Sequence, residues 1–254
     1  MSRHQAVEKA IDILLAFTPL NQEMGTLEVS EKVGIHISTA SRILHALTEK
    51  RLLQRHPKTK KFQLGPSSMA ISMAIRKSLE TNLIHIAKPF MDDLRDNIGE
   101  TIALEIFSGV NTVLAYLAYG PHRTNLAGSI GDILAVHAAA GAKAILAFSS
   151  REVRSRVLKG TLVRLTPNTI TDCALLQKQF QKIRQRSISL DREEHDIGTN
   201  AMGTPIFNVE GKPVAGLVVA GPSQRIKLKV DSPVALQLKE TATKISEQLY
   251  YKPL

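Results

Sequence analysis

The chain contains no tryptophan, and phenylalanine and tyrosine together make up only 4% of it. Proteins that hold single-stranded nucleic acid stack its bases on aromatic side chains, so a stacking platform is excluded as the main chemistry. A single cysteine, Cys173, leaves no intramolecular disulfide to form and suits a reducing, cytoplasmic compartment. It also lacks the spaced His and Asn partners that nucleophilic catalysis requires. No apolar run reaches the roughly 20 residues of a membrane-spanning helix. The nearest approach, residues 133–148, is short, broken by His137 and Lys143, and is expected to be a core helix. The opening Met-Ser-Arg-His-Gln leads into helically spaced rather than continuous apolar residues, so no signal peptide is expected. Ala140-Gly141-Ala142-Lys143-Ala144 lacks the first glycine and the metal-binding hydroxyl of a phosphate loop, which excludes that nucleotide chemistry.

What the chain has in excess is base. Its 33 Lys and Arg outnumber 23 Asp and Glu, giving +10, which makes nucleic acid or an anionic membrane surface candidate partners. Residues 1–78 hold 12 of these bases against 6 acids, so +6 sits on less than a third of the chain. Residues 50–61 hold Lys50, Arg51, Arg55, Lys58, Lys60 and Lys61 with no acid. A merely solvated surface interleaves the two signs, so this one-signed cluster points to DNA.

Residues 25–61 have the pattern of a winged helix-turn-helix. A short amphipathic run, Thr26-Leu27-Glu28-Val29-Ser30-Glu31-Lys32-Val33, ends at Gly34, whose permissive backbone suits a tight turn. A second helix is expected from Ser38, and a basic hairpin follows over residues 53–62. Thr26 and Ser38 are placed to cap the free N–H groups of the two helices. Val29, Val33, Ile35, Ala40, Ile43, Leu44 and Leu47 recur at helical spacing. They close a three-helix core with a helix over residues 3–17, whose apolar face is read as Val7, Ala10, Ile11, Leu14 and Phe17. Pro19 and Asn21 end that first helix. The outer face of the recognition helix is then Ser38, Thr39, Ser41, Arg42 and His45. With Thr26 and the wing lysines Lys58, Lys60 and Lys61, these are the candidate DNA contacts. Arg42 is best placed for a guanine edge or a phosphate, its competing use being a surface ion pair with Glu49 or Glu31. Ser38 can spend its hydroxyl on the cap and offer DNA the helix N-terminus.

Gly65-Pro66 breaks the wing and marks a boundary. An amphipathic helix bearing Met69, Ala70, Met73 and Ala74 follows as a rigid connector and candidate dimer contact. Beyond it the pattern is mixed: a helix over 83–97, strands over 101–107 and 112–119 joined at Ser108-Gly109, and helices over 136–148 and 173–186. Strands over 187–190, 202–207 and 214–220 and a final helix over 233–250 complete it. Strand pairs with helices inserted between them imply an antiparallel sheet flanked by helices. Asp191, Glu193, Glu194, His195 and Asp196 form an acidic knot without a second ligand group at fixed spacing, so a hydrogen-bonded loop gating a pocket is expected and no metal site. His137, on an apolar helix face, is expected to be a hydrogen-bonded core histidine, and Lys143 a structural or partner-contacting lysine.

Several of these segments occur together, and in this order, in one family. The helix-turn-helix and Phe62-Gln63-Leu64-Gly65 are followed by residues 131–143 (Gly-Asp-Ile-Leu-Ala-Val-His-Ala-Ala-Ala-Gly-Ala-Lys) and Leu165-Thr166-Pro167-Asn168-Thr169-Ile170-Thr171. Asp191-Arg192-Glu193-Glu194-His195-Asp196-Ile197-Gly198 and Ala220-Gly221-Pro222 come after. Over nearly its whole length the chain resembles the isocitrate-lyase-regulator (IclR) family of bacterial transcription regulators. The resemblance implies an α+β protein. A winged helix-turn-helix domain (residues 1–65) is joined by a linker helix (66–81) to a GAF-like effector-binding domain (82–254).

The resemblance further implies a homodimer or homotetramer in the bacterial cytoplasm, with no membrane and no cofactor. It would bind pseudo-palindromic double-stranded operator DNA and respond to a small organic effector, more often as repressor than activator. Family pocket positions fall on Leu126, Leu134, Ala140 and Gly141, on Asp191, Thr199 and Ala201, and on Val218 and Ala220. Relatives that bind small carboxylates carry hydroxyl residues where this chain has Val218 and Ala220. A buried carboxylate needs donors, so a larger, apolar or aromatic effector, an aromatic acid included, is expected. Ala142, Ser187-Ile188 and Arg51 replace residues that the family often fills with Gly, Gly-Tyr and Gly, and where such a glycine has positive φ its substitute is strained. The alternatives are an enzyme that turns over the small molecule, which would need a nucleophile–base pair near Asp191 or His137, and a ligand-independent architectural DNA binder.

Overall fold

The computed structural model describes residues 3–18, 22–71, 83–107, 111–122 and 128–250. The chain divides into two compact units, residues 1–79 and 80–254. Pro19, Asn21, Met73, Ala74, the turn Ser108-Gly109 and Leu126 lie outside the described residues.

The first unit contains α1 (Arg3–Ala16), α2 (Thr26–Val33), α3 (Ile37–Glu49), β1 (Leu53–Arg55) and β2 (Phe62–Leu64), and residues 66–71 are helical. Ile13, Phe17, Val29, Leu44, Leu47, Leu53 and Phe62 share one buried cluster. The α1 face differs from the sequence reading. Ile13 and Phe17 are fully buried, whereas Val7, Ile11 and Leu15 are 58%, 51% and 51% exposed. Apolar residues occupy most of the circumference of α1, so periodicity leaves its rotation open. Packing on α2 and α3 selects the Ile13 stripe.

Both caps differ as well. The N-cap of α2 is Gly25, whose N–H donates to the Glu28 carboxylate. The N-cap of α3 is His36, whose Nδ1 accepts from the Ser38 N–H at 3.3 Å. Thr26 and Ser38 stand one and two residues inside their helices, because a carboxylate and an imidazole already reach the free donors. Gly34 closes the turn at φ 67°, and Arg51 leaves α3 in the left-handed region at φ 58°. β1 and β2 pair antiparallel, Leu53 opposite Leu64, and Met24 bridges to Phe62 along the hairpin.

The second unit contains α4 (His85–Ile98), β3 (Thr101–Phe107), β4 (Thr112–Ala118), β5 (Ile133–Leu134), α5 (Ala140–Phe148) and α6 (Arg151–Leu158). α7 (Cys173–Arg186), β6 (Ser189–Arg192), β7 (Thr199–Phe207), β8 (Pro213–Pro222) and α8 (Pro233–Tyr250) complete it. The sheet runs β5-β4-β3-β8-β7-β6, and every pair is antiparallel. α5 packs across β3, β6, β7 and β8, while α4 and α8 pack on each other and on the sheet.

Glycine sets how closely α5 approaches. A Cβ on Gly203 would stand 2.6 Å from the Ala140 carbonyl carbon, and one on Gly216 would stand 2.5 Å from the Gly141 Cα. Only bare backbone fits, so the N-terminus of α5 is pressed onto β7 and β8.

Four elements depart from expectation. The helix read from residue 136 starts at Ala140, since Ala139 is extended, and Ile133–Leu134 pair as a strand with Thr112 and Val113. The strand read from residue 187 starts at Ser189, because Ser187 caps α7 in the left-handed region at φ 55°. The short helix α6 was unforeseen, its eight residues carrying only Val153, Val157 and Leu158 as apolar signal.

Candidate nucleic-acid interface and effector site

α3 turns Ser38, Arg42 and His45 to solvent, with Thr39 and Ser41 half-buried, while Ala40, Leu44 and Leu47 face the core. Among the described residues Arg42 is in no ion pair, so neither Glu49 nor Glu31 holds it. The Ser38 hydroxyl lies 2.7 Å from His36 Nδ1, so this exposed side chain is already engaged at the start of the helix.

The wing is shaped by its own backbone. His56 Nδ1 accepts from the Lys58 and Thr59 N–H groups, and Lys60 bends the tip at φ 60°. Lys58 and Lys60 are exposed. Lys61 instead folds back on Glu28 at 3.0 Å. The Gly25 N–H, then Lys61, hold that carboxyl below its usual range. Thr26 is half-buried beside it. The ring of Phe62 joins wing to helix. His45 meets it edge-on at 6.5 Å between centroids, and the Arg55 guanidinium lies 5.5 Å above it.

In the second unit, sheet register explains why the expected pocket positions gather. Asp191, Ala201, Ala220 and Thr101 are successive cross-strand partners, as are Ser189, Gly203, Val218, Ala103 and Leu117. These two rows share the α5 side of the sheet, because side chains alternate between faces. Ala140, Ala201, Val218 and Ala220 belong to one buried cluster, with Leu134 packed against it. A Cβ on Gly141 would stand 2.9 Å from a Val218 methyl, which places this glycine directly over Val218. Thr199, two residues before Ala201, is half-buried at the same edge.

The charges here are buried. Lys143 is fully buried, pairs with Glu194 at 2.7 Å and donates to the Leu190 carbonyl at 2.7 Å. Asp191 accepts from the N–H groups of Glu194 and His195, so the acidic knot is a hydrogen-bonded loop. Burial pushes Asp191 up to about 6 against the pull of Lys143. His195 is raised by its bond to Asp196. His137 is 2.8 Å from the Val163 carbonyl, the partner a buried histidine requires.

Sequence reasoning passed over Glu105. It lies opposite Gly216 on β3, is 4% exposed, and accepts from the Ala142 N–H at 2.8 Å. Since Ala139 provides no side-chain cap, Glu105 caps α5 from across the sheet. Burial pushes it up to about 7, opposed by the N–H groups of Ala142 and Gly141. The available signal was a lone acid in the apolar strand Thr-Ile-Ala-Leu-Glu-Ile-Phe. Among the described residues no group of three His, Cys, Asp or Glu is placed to hold a metal ion, and no helix is long and apolar enough to cross a membrane.

Comparison with known proteins agrees with this geometry in both units. Residues 6–57 match the IclR helix-turn-helix domain, and residues 76–247 match the bacterial transcriptional regulator IclR C-terminal domain. The HTH-type transcriptional regulator Rv1719 of Mycobacterium tuberculosis is 30% identical over 221 residues, 87% of this chain and 83% of that protein. The HTH-type transcriptional repressor AllR of Klebsiella pneumoniae is 26% identical over 250 residues, 98% of this chain and 91% of that protein. Thermotoga maritima IclR superposes with a TM-score of 0.68 at 28% identity, covering 98% of this chain and all of that one. An IclR homologue from Microbacterium hydrocarbonoxydans, solved with 4-hydroxybenzoate, superposes at 0.76 with 21% identity, covering 96% and 98%. The chain belongs to the IclR family: it is a DNA-binding transcriptional regulator and not an enzyme.

Proposed function

We propose that this regulator is a homo-oligomeric repressor in the bacterial cytoplasm, released from a pseudo-palindromic operator by a small apolar or aromatic effector. Residues 1–65 read DNA, 66–81 connect, and 82–254 bind the effector. The convergence of Ala140, Gly141, Asp191, Ala201, Val218 and Ala220, with Leu134 beside them, on one face of the sheet under α5 carries the effector half of this reading. Two of these positions bear methyl groups rather than hydroxyls, which favours an apolar ligand body. The relative that holds 4-hydroxybenzoate supports an aromatic one.

Ser38, Thr39, Ser41, Arg42 and His45 enter the major groove, and Lys58 and Lys60 with the Thr26 turn approach phosphates. Two such helices in a dimer reach successive grooves about 34 Å apart. The exposed Val7, Ile11 and Leu15 of α1 offer apolar surface for a second copy. Because AllR is a repressor, repression is the sign adopted.

The test is a thermal-shift screen of hydroxybenzoates, other aromatic acids and aliphatic carboxylates, followed by gel-shift assays with any hit. An aromatic hit that raises the melting temperature and weakens operator binding supports the proposal. Stabilisation confined to short aliphatic carboxylates overturns the apolar assignment, and an operator complex indifferent to every stabilising compound overturns effector control.

A further inference from the structure

α6 and α7 both lean on α5, where Leu146, Ala147, Val157, Leu176, Phe180 and Ile183 form one buried cluster. Where two helices lean together the facing stripes are ordinarily apolar. Here they are not. Arg151, Arg154 and Lys159 of α6 and its end face Cys173, Gln177 and Arg184 of α7 across a cleft of about 460 Å³. Arg151 and Arg154 are three apart, and Cys173, Gln177 and Arg184 are spaced by four and seven, so each set occupies a single helical stripe. Leu158 and Phe180 also line the cleft.

Two of the cations are held in place. Arg154 donates to the Ser149 carbonyl, and Arg184 donates to the Ala147 carbonyl at 2.9 Å. Each uses one guanidinium nitrogen to cap the last turn of α5, leaving further N–H groups of the five available. Among the described residues no ion pair neutralises Arg151, Arg154, Lys159 or Arg184. The acids beside them in sequence are committed elsewhere. Glu152 bonds to its own N–H and to Ser150 and feels Arg151 and Arg154 only at longer range, without an ion pair, and Asp172 accepts from the Leu175 N–H at 2.8 Å. Burial and the neighbouring Arg184 both hold Arg154 below its ordinary range, so the like charges repel across the cleft.

We infer that this cleft is a second ligand site of the C-terminal unit, built for a compact polyanion carrying adjacent phosphate or carboxylate groups. Its volume falls within the range of small-molecule pockets, roughly 300–1,000 Å³, and guanidinium forks on facing walls suit bidentate anion binding. It lies at the C-terminal end of α5, whereas the proposed effector residues Ala140 and Gly141 lie at the other, about 12 Å away along the helix.

Cys173, the sole cysteine, is exposed and lines the cleft, so its alkylation reports on this site and not on the basic wing. The full-length protein is treated with uncharged iodoacetamide at constant ionic strength, with and without millimolar tripolyphosphate or citrate. At least fivefold slowing of Cys173 modification by one of them is expected, the stronger protector distinguishing phosphate from carboxylate chemistry. Arg154→Gln/Arg184→Gln loses this protection. Arg151→Gln/Lys159→Gln, which removes cations with no role in capping α5, weakens it at least fivefold with an unchanged melting temperature. Absence of slowing by either anion overturns the proposal, as does protection undiminished in the Arg151→Gln/Lys159→Gln protein. Protection by a DNA duplex but by neither small anion overturns it in favour of a nucleic-acid contact.

Discussion

Replacing Glu105 by glutamine changes the stability of the C-terminal unit in a pH-dependent way, and the size of the effect follows from its burial. Its carboxyl is raised from the ordinary 4.5 to about 7. A carboxylate whose pKa is higher in the folded state binds protons preferentially there. Stability from this group is therefore complete below about pH 4.5 and is lost as pH rises through about 7. At about 1.4 kcal/mol per unit, the ionised form at pH 8 lowers stability by about 3 kcal/mol, of which less than about 1 kcal/mol is already lost at pH 5. Glutamine keeps an acceptor for the Ala142 N–H and cannot ionise. Its amide N–H₂ carries a desolvation cost of about 1–3 kcal/mol if left unpaired, but that cost is the same at every pH. The informative quantity is thus a difference of differences. Relative to the wild type, Glu105→Gln should gain about 2–3 kcal/mol between pH 5 and pH 8. That corresponds to roughly 5–10 °C in melting temperature for a unit of this size. Urea unfolding followed by far-UV circular dichroism, at matched protein concentration and at half-unit pH steps, measures it directly. A stability gap between the two proteins that is the same at pH 5 and pH 8 would refute the reasoning.

Other outcomes follow from the same structure. Arg42→Ala should abolish the preference for operator over random DNA in gel shifts while leaving non-specific binding largely intact, and unchanged operator affinity refutes its role. Lys58→Ala/Lys60→Ala should flatten the log–log salt dependence of DNA binding by about 2 per reading head, at about 0.9 for each phosphate that a lysine no longer neutralises. An unaltered slope in fluorescence-anisotropy titrations excludes the wing tip from the phosphates. Lys143→Met leaves Glu194 buried and unpaired and should destabilise by about 3–5 kcal/mol, whereas Lys143→Met/Glu194→Leu should recover most of that loss. A double variant as unstable as the single one would show that the pair itself, rather than the orphaned charge, matters.

Elements with chemical punctuation at their ends were legible in the sequence. α7 and α8 begin where expected, after Asp172 and at Pro233, since an N-cap acid and an N-terminal proline each allow few alternatives. The suspicion that Arg51 and Ser187 stand at glycine-like positions holds, for both have positive φ. α6 was not legible, because eight residues with few apolar positions give too little periodicity. The rotation of α1 was hidden for the opposite reason, an excess of apolar residues. The gathering of Asp191, Ala201, Val218 and Ala220 was anticipated only through family resemblance. Its physical cause, the register of β3, β8, β7 and β6, is a long-range property that no local pattern carries. Glu105 escaped for the same reason: its meaning depends on Gly216 admitting the end of α5 above it.

Phe62 ties the hairpin to the helix beside it. The ring is buried in the core of the first unit, its backbone is bridged to Met24 through both N–H groups, and its two outer contacts are His45 and Arg55. The hairpin therefore has no hinge of its own at that point, and the separation between the outer face of α3 and the hairpin base is set like the jaw of a calliper. If the α3 face and the hairpin grip DNA as proposed, a duplex whose groove is narrower or wider than that gauge would have to deform to be held, and binding would then depend on DNA shape at base pairs the protein never touches.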